Sequence, residues 1–206
     1  YELPLASRTS KGQAIVNFLQ LANSEQVTAI LPLDKMANKE YLFFATRRGL
    51  VKKVRINAFD NVRRSGLIAI KLKENDQLIW VKPTTGNDQI QMVTAHGQAI
   101  RFHEEDVRDM GRGASGVIGM RLKTKDQIIG MGVIKADSER LKDYQVLSVM
   151  ANGYGKRTSL SQYKVQNRGG SGIKTAKITD KTGELVNAFL VNKKTMEDKD
   201  LIIMSK

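Results

Sequence analysis

A unit of roughly 50 residues recurs along this chain of 206 residues and sets an arginine at the same point of a glycine loop each time. The segments Arg8–Gly12, Arg64–Gly66, Arg112–Gly116 and Arg168–Gly172 align on their last glycine. Arg8, Arg112 and Arg168 stand four residues before it, and Arg64 joins them in a loop two residues shorter. A period of this size indicates a propeller or a solenoid, in which one unit cannot bury its apolar face without its neighbours. A cationic column repeated in register around such a scaffold forms a track for a polyanion.

Three segments recur within each unit. In the first, at Tyr41–Gly49, Ile90–Gly97 and Val146–Gly153, an apolar run ends in Arg-Gly, His-Gly or Asn-Gly and continues into basic residues. This reads as strand, tight turn, strand. Lys53, Arg101 and Arg157 each follow that glycine by four residues, a second basic column, with Lys52 and Lys156 beside it. The second segment follows the loop glycine and alternates: Ala14, Val16, Phe18; Ile68, Ile70, Leu72; Ile118, Met120, Leu122; and Lys174, Ala176, Ile178. Period two predicts one buried face of a strand, starting late where Lys174 breaks the pattern. Asn17, Lys71, Arg121 and Lys177 fall between the buried positions and point away from the core. The third segment runs from a polar turn into apolar residues at Glu25–Leu31, Asp76–Val81, Asp126–Met131 and Gly183–Phe189, with starts 51, 50 and 57 residues apart. The last interval is lengthened by the charged surface loop Lys135–Lys142. We therefore expect one all-β bladed domain over 1–206, built of four-stranded blades. A partial blade (1–40) precedes repeats at about 41–87, 88–143 and 144–199, and a further blade starts at 200–206.

The charge balance of 34 Lys+Arg against 21 Asp+Glu, net +13, favours nucleic acid over a membrane surface as partner. The chain has no cysteine and so no disulfide framework or thiolate site. No apolar run approaches the ~18 residues of a membrane helix. The chain opens on Tyr1 without a signal peptide and stops within the apolar run Leu201–Met204, so we read it as a piece of a longer protein. Gly111–Gly116 matches G-x-G-x-x-G, but it lacks the preceding strand and following helix that a dinucleotide site needs. His96 in a turn and His103 at a strand end make no metal pair without further ligands. Glu104–Asp106 reads as a solvated charge run, with a brief helix over Glu104–Asp109. Aromatics are 6% of the chain, too few for a single-strand stacking platform. Trp80 and Phe189 read as core and Tyr154 as exposed. No catalytic constellation emerges.

The stretch Asn152-Gly-Tyr-Gly-Lys-Arg-Thr158, followed by Tyr163 and Arg168-Gly-Gly-Ser-Gly172, closely resembles the C-terminal domain of DNA gyrase A, from a type IIA DNA topoisomerase. Ser7–Asn17 and Val107–Arg112 resemble the same domain at matching places. The related domain of topoisomerase IV is less similar at Asn152–Thr158. The resemblance implies a β-pinwheel whose blades exchange strands, with duplex DNA bent around its basic rim to support negative supercoiling. With the aligned basic columns, it gives as candidate DNA-binding residues Arg8, Lys11, Lys52, Lys53, Arg63, Arg64, Lys71, Arg101, Arg112, Arg121, Lys156, Arg157, Arg168 and Lys177. The family's signature box, Q-R-R-G-G-K-G, is expected upstream of Tyr1. Gln166, Arg168, Gly169, Gly170 and Gly172 form an echo of it, with Asn167 and Ser171 in place of two basic residues. A fragment without the box is expected to bind DNA but wrap it poorly.

The resemblance carries no catalytic residue over and implies no cofactor here. ATP and magnesium, the catalytic tyrosine, the gyrase A dimer and the gyrase B subunits belong to the parent enzyme. It also implies a bacterial cytoplasmic, nucleoid-associated setting and a monomeric fragment. Two alternatives stand beside it: a topoisomerase IV-type domain that contacts DNA without a full wrap, and a propeller that binds acidic proteins.

Overall fold

The computed structural model describes residues 5–14, 17, 27, 30–31, 40–63, 65–136 and 141–193. Three hairpins dominate it: β1 (Tyr41–Thr46) with β2 (Leu50–Arg55), β4 (Gln89–Thr94) with β5 (Gln98–His103), and β8 (Tyr144–Met150) with β9 (Gly155–Ser159). The turns close where the sequence places glycine. Gly49 N–H donates to Thr46 O at 3.1 Å and Leu50 N–H to Thr46 Oγ1 at 3.1 Å. Thr94, Gly97 and Gln98 repeat both bonds in the next hairpin.

The sheets are not closed within the sequence repeats. β3 (Leu78–Thr84), β7 (Ile128–Ile134) and β11 (Leu185–Asn192) each flank their own hairpin, giving the orders β3-β1-β2-β6, β10-β5-β4-β7 and β11-β8-β9. The fourth strand of the first sheet, β6 (Val117–Ile118), comes from the second repeat, and that of the second, β10 (Ile173–Lys174), from the third. The blades therefore exchange strands.

The donated strands are shorter than period two predicted. Each holds two residues, and the chain then crosses over the neighbour's hairpin turn. Gly49 O accepts from Gly119 N–H and Met120 N–H at 2.9 and 3.2 Å, and Gly97 O accepts from Thr175 N–H and Ala176 N–H at 2.8 and 3.2 Å. The crossing ends the ladder, so alternation does not mean uniform burial. Met120 and Ala176 are buried, whereas Ile118 is 44% and Ile68 75% exposed. Lys174 does not delay its strand: β10 pairs Ile173 with Ala99 and exposed Lys174 with Gln98.

Side chains pack between blades. Phe43, Val51, Ile90, Phe102 and Met120 share one cluster, and Val93, Ile134, Val146, Leu160 and Ala176 share the next. Burying each such side chain contributes about 1.5–3 kcal/mol, so adjacent repeats stabilise one another. Trp80 packs half-buried against the first cluster. Phe189 does not join the second: it is 46% exposed, on the face of β11 opposite Ala188. Glu104–Asp106 is a 3-10 turn, and Glu104 in it is buried, not solvated, because its Oε1 accepts from Gly86 and Asp88 N–H at 2.8 and 2.7 Å.

β7 and β11 each form an edge of their sheet, and β7 lies opposite the donated β10. A Cβ on Gly132 would stand 2.8 Å from Leu190 Cβ, and one on Gly130 would strike Ala188 O. Gly130→Ala should therefore cost about 1–3 kcal/mol through overpacking, measured as a lower midpoint of thermal unfolding.

Candidate nucleic-acid interface

The four glycines that align the arginine loops share a left-handed backbone: Gly12, Gly66, Gly116 and Gly172 have φ of +70°, +73°, +95° and +75°. At Gly116 the neighbour's strand demands it as well, since a Cβ there would lie 2.5 Å from Val51 O. The Arg112 and Arg168 loops reach their glycines by the same route. After the 3-10 turn, Met110 N–H donates to Lys53 O at 3.0 Å, and in the next unit Gln166 N–H donates to Arg101 O at 2.8 Å. The loops thus lie along the edge of the disc that carries the donated strands.

Two of the basic columns meet there. Lys71 N–H donates to Ala114 O at 3.2 Å, in the loop that carries Arg112. Arg121 N–H donates to Gly170 O at 3.0 Å, in the loop that carries Arg168. A crossing segment of one repeat thus lies against the arginine loop of the next. Lys71, Arg121 and Lys177 are exposed, as are Arg8, Lys11, Arg63, Lys156 and Arg157, and Arg112 and Arg168 are half-buried. Arg64 lies outside the described residues.

The column at Lys53 and Arg101 is not part of that surface. Lys53 is 6% and Arg101 3% exposed. Lys53 Nζ donates to Glu104 O at 3.2 Å and stands 4.9 Å from the Tyr41 ring centroid. Arg101 donates through Nε to Gln89 Oε1 at 2.7 Å and through one terminal nitrogen to Leu160 O and Tyr163 O at 3.3 and 3.2 Å. Both cations bind carbonyls of the following repeat's 3-10 turn, so their register records blade docking and not ligand contact. Arg157, at the same position of the third hairpin, is exposed. Lys52 is also fully buried, its ammonium held by Ala69 O at 2.8 Å, Ala114 O at 3.0 Å and Arg112 O. Burial lowers the pKa of Lys52 and of Arg101 below the ordinary lysine and arginine values.

The box-like loop is half-buried at Gln166, Arg168, Gly169, Gly170 and Gly172. Arg168 donates through Nε to Asp106 O at 2.7 Å and through a terminal nitrogen to Ile118 O at 3.0 Å.

At the hairpin end of the first blade lies an open cleft of about 850 Å³, lined by Arg47, Arg48, Lys73, Arg121, Lys123 and Lys125 among others. Of these, sequence alignment singled out Arg121 alone. Asp76 and Asp126 line it too, but each turns Oδ1 to backbone N–H groups: Arg48 and Gln77 for Asp76, His96 and Gln127 for Asp126. The missed lysines follow the crossing column by two residues in Lys71-Leu-Lys73 and Arg121-Leu-Lys123. His96 sits in its turn with Nε2 3.2 Å from Glu184 Oε1, and His103 ends β5 exposed. No group of three potential metal ligands occurs among the described residues.

A strand-exchanging, bladed β-disc with a cationic outer edge defines a class of polyanion-binding β-propeller. The chain belongs to the family described as DNA gyrase C-terminal domain, beta-propeller, which it matches over residues 1–34, 40–85, 88–135 and 151–192. It is 44% identical over 187 residues to the DNA gyrase A subunit of Staphylococcus epidermidis, covering 90% of this chain and 20% of that protein. It is 41% identical over 205 residues to the DNA gyrase A subunit of Lawsonia intracellularis, covering 100% of this chain and 24% of that protein. The chain thus spans a fifth to a quarter of these relatives. Among solved structures it resembles the C-terminal domain of DNA topoisomerase IV, with TM-score 0.79 and 27% identity over 88% of this chain and 55% of the other. It also resembles a DNA gyrase A C-terminal domain, with TM-score 0.74 and 28% identity over 89% and 59%. The fold is common to both enzymes, and both of these sequence relatives are gyrase A.

Removing the buried staple separates docking from ligand contact. Arg101→Met, which removes the Arg101 donors to Tyr163 O and Leu160 O and leaves Leu160 O only the Tyr163 N–H, should cost about 1–3 kcal/mol in urea unfolding. Arg121→Gln should stay within about 0.5 kcal/mol of the wild type.

Proposed function

We propose that this chain is a non-catalytic DNA-binding and DNA-wrapping domain of a type II topoisomerase, the part of gyrase A that bends duplex DNA around its outer edge. The observation that carries this reading is the meeting of two cationic columns from neighbouring repeats, Lys71 beside the Arg112 loop and Arg121 beside the Arg168 loop. Spaced along a curved edge, such pairs can follow a phosphate backbone without reading bases. Bending a site of a few tens of base pairs costs about 1–6 kcal/mol, which several contacts must offset. The cleft at Arg47, Arg48 and Lys123 extends the same field toward the hairpin end. In this reading the parent protein is a bacterial enzyme of two gyrase A and two gyrase B chains that works on chromosomal DNA in the cytoplasm. Its catalytic tyrosine, ATP and magnesium sites lie outside this chain. Among the described residues no helix is long and apolar enough to cross a membrane.

Affinity for duplex DNA should be sequence-tolerant and fall steeply with salt. Replacing Lys71, Arg121 and Lys177 with Gln should lower the slope of log affinity against log salt by about 0.9 for each lost contact. A salt-independent affinity would contradict the proposal.

The second reading, contact without a full wrap, is favoured by Asn167 and Ser171 in the box-like loop. Ligation of a nicked circle in the presence of the domain separates the two. Wrapping should trap supercoils in proportion to bound protein, and simple contact should leave the topoisomer distribution unshifted.

A further inference from the structure

The loops of Arg112 and Arg168 occupy equivalent places, yet they are held by opposite devices. The residue three places after the hairpin glycine faces the donated loop. It is Lys52 in the first blade and Ile100 in the second. Lys52 reaches the Arg112 loop from beneath, donating to Arg112 O and to Ala114 O. Its third acceptor, Ala69 O, ties that loop to the crossing segment that bears Lys71. Held by its backbone in this way, the loop leaves the Arg112 guanidinium without a polar partner among the described residues. Ile100 offers no donor. Its Cδ1 stands 3.5 Å from where a Cβ on Gly170 would lie, so it supports the Arg168 loop by apolar contact alone. There the loop is anchored by its own arginine, through Asp106 O and Ile118 O.

We propose that Lys52 is a positioning residue that sets Arg112 as a phosphate-binding arginine, whereas Arg168 serves chiefly to staple neighbouring repeats. The register that makes the two arginines look alike conceals a division of labour. An ammonium enclosed by three carbonyls and no carboxylate is costly to bury, and here the acceptors lie in and against the loop that carries Arg112. This proposal rests on the DNA-binding reading.

The test compares Lys52→Met, Arg112→Gln, Arg168→Gln and the Lys52→Met/Arg112→Gln double variant, each titrated with linear duplex DNA over a range of salt and each melted without DNA. Arg112→Gln should lower the salt slope by about 0.9 and leave the melting midpoint in place. Lys52→Met should lower the slope by the same amount with Arg112 still present, and the double variant should lose no more than either single one. Arg168→Gln should lower the melting midpoint and leave the slope near that of the wild type. In the absence of DNA, amide resonances of Gly111–Ala114 should move in Lys52→Met and stay in Arg168→Gln. An unchanged slope in Lys52→Met, additive losses in the double variant, or a slope lost in Arg168→Gln but kept in Arg112→Gln would each overturn the assignment. If Lys52→Met does not fold, Lys52→Arg, which keeps the charge but not the ammonium's geometry, is read by the same slope and amide criteria. Failure of the wild type to bind DNA at all would strike the functional reading. The amide shifts would still decide whether Lys52 holds the loop.

Discussion

One peptide oxygen in each of the first two hairpins organises this fold. Gly49 O and Gly97 O each receive two N–H groups from a chain segment that belongs to the next repeat. The bond pair fixes where the donated strand stops, turns the chain over the hairpin and delivers the third segment to its own sheet. It also explains the glycine in the turn. Gly49 takes φ +82°, and a Cβ there would lie 2.6 Å from Met120 O. A hairpin turn with a side chain at that point would hold the neighbour away and leave the sheet one strand short.

The net charge of +13 is divided between two uses. Lys52, Lys53 and Arg101 lie inside, where their donors meet main-chain carbonyls, those of Lys53 and Arg101 in the following repeat. Lys71, Arg121 and Lys177 lie outside, in high dielectric, where their desolvation costs little and their field reaches solvent. Carbonyl acceptors suit the buried set. They satisfy the donors without adding a carboxylate whose own desolvation would have to be offset. Cationic residues are thus both the mortar between blades and the coat on their edge, and sequence register alone cannot separate the two.

That division marks how far the fold and site were legible in the sequence. The hairpins followed from apolar runs ending at Gly49, Gly97 and Gly153, because strand periodicity and turn glycine are local properties. The loop glycines were legible for the same reason. Burial of the Lys53 and Arg101 column was not, since it depends on carbonyls contributed from about 50–60 residues further along the chain. The exposure of Ile68 and Ile118 and the early end of the crossing strand were hidden likewise. Alternation announces a strand but not where a neighbour's turn cuts it short. The cleft lysines are in plain view in the sequence, but they do not align across all repeats and so carry no register signal.

Because the second repeat both gives a strand to the unit before it and takes one from the unit after it, such a repeat is a link with two unlike ends. Inserting or deleting one whole link leaves a matched pair of ends behind, whereas a cut inside a link leaves one blade unfinished and one strand unclaimed. A gene built of such links can change its number of blades by unequal recombination without redesigning any interface. The arc available to a bound polymer then lengthens or shortens in steps of one blade.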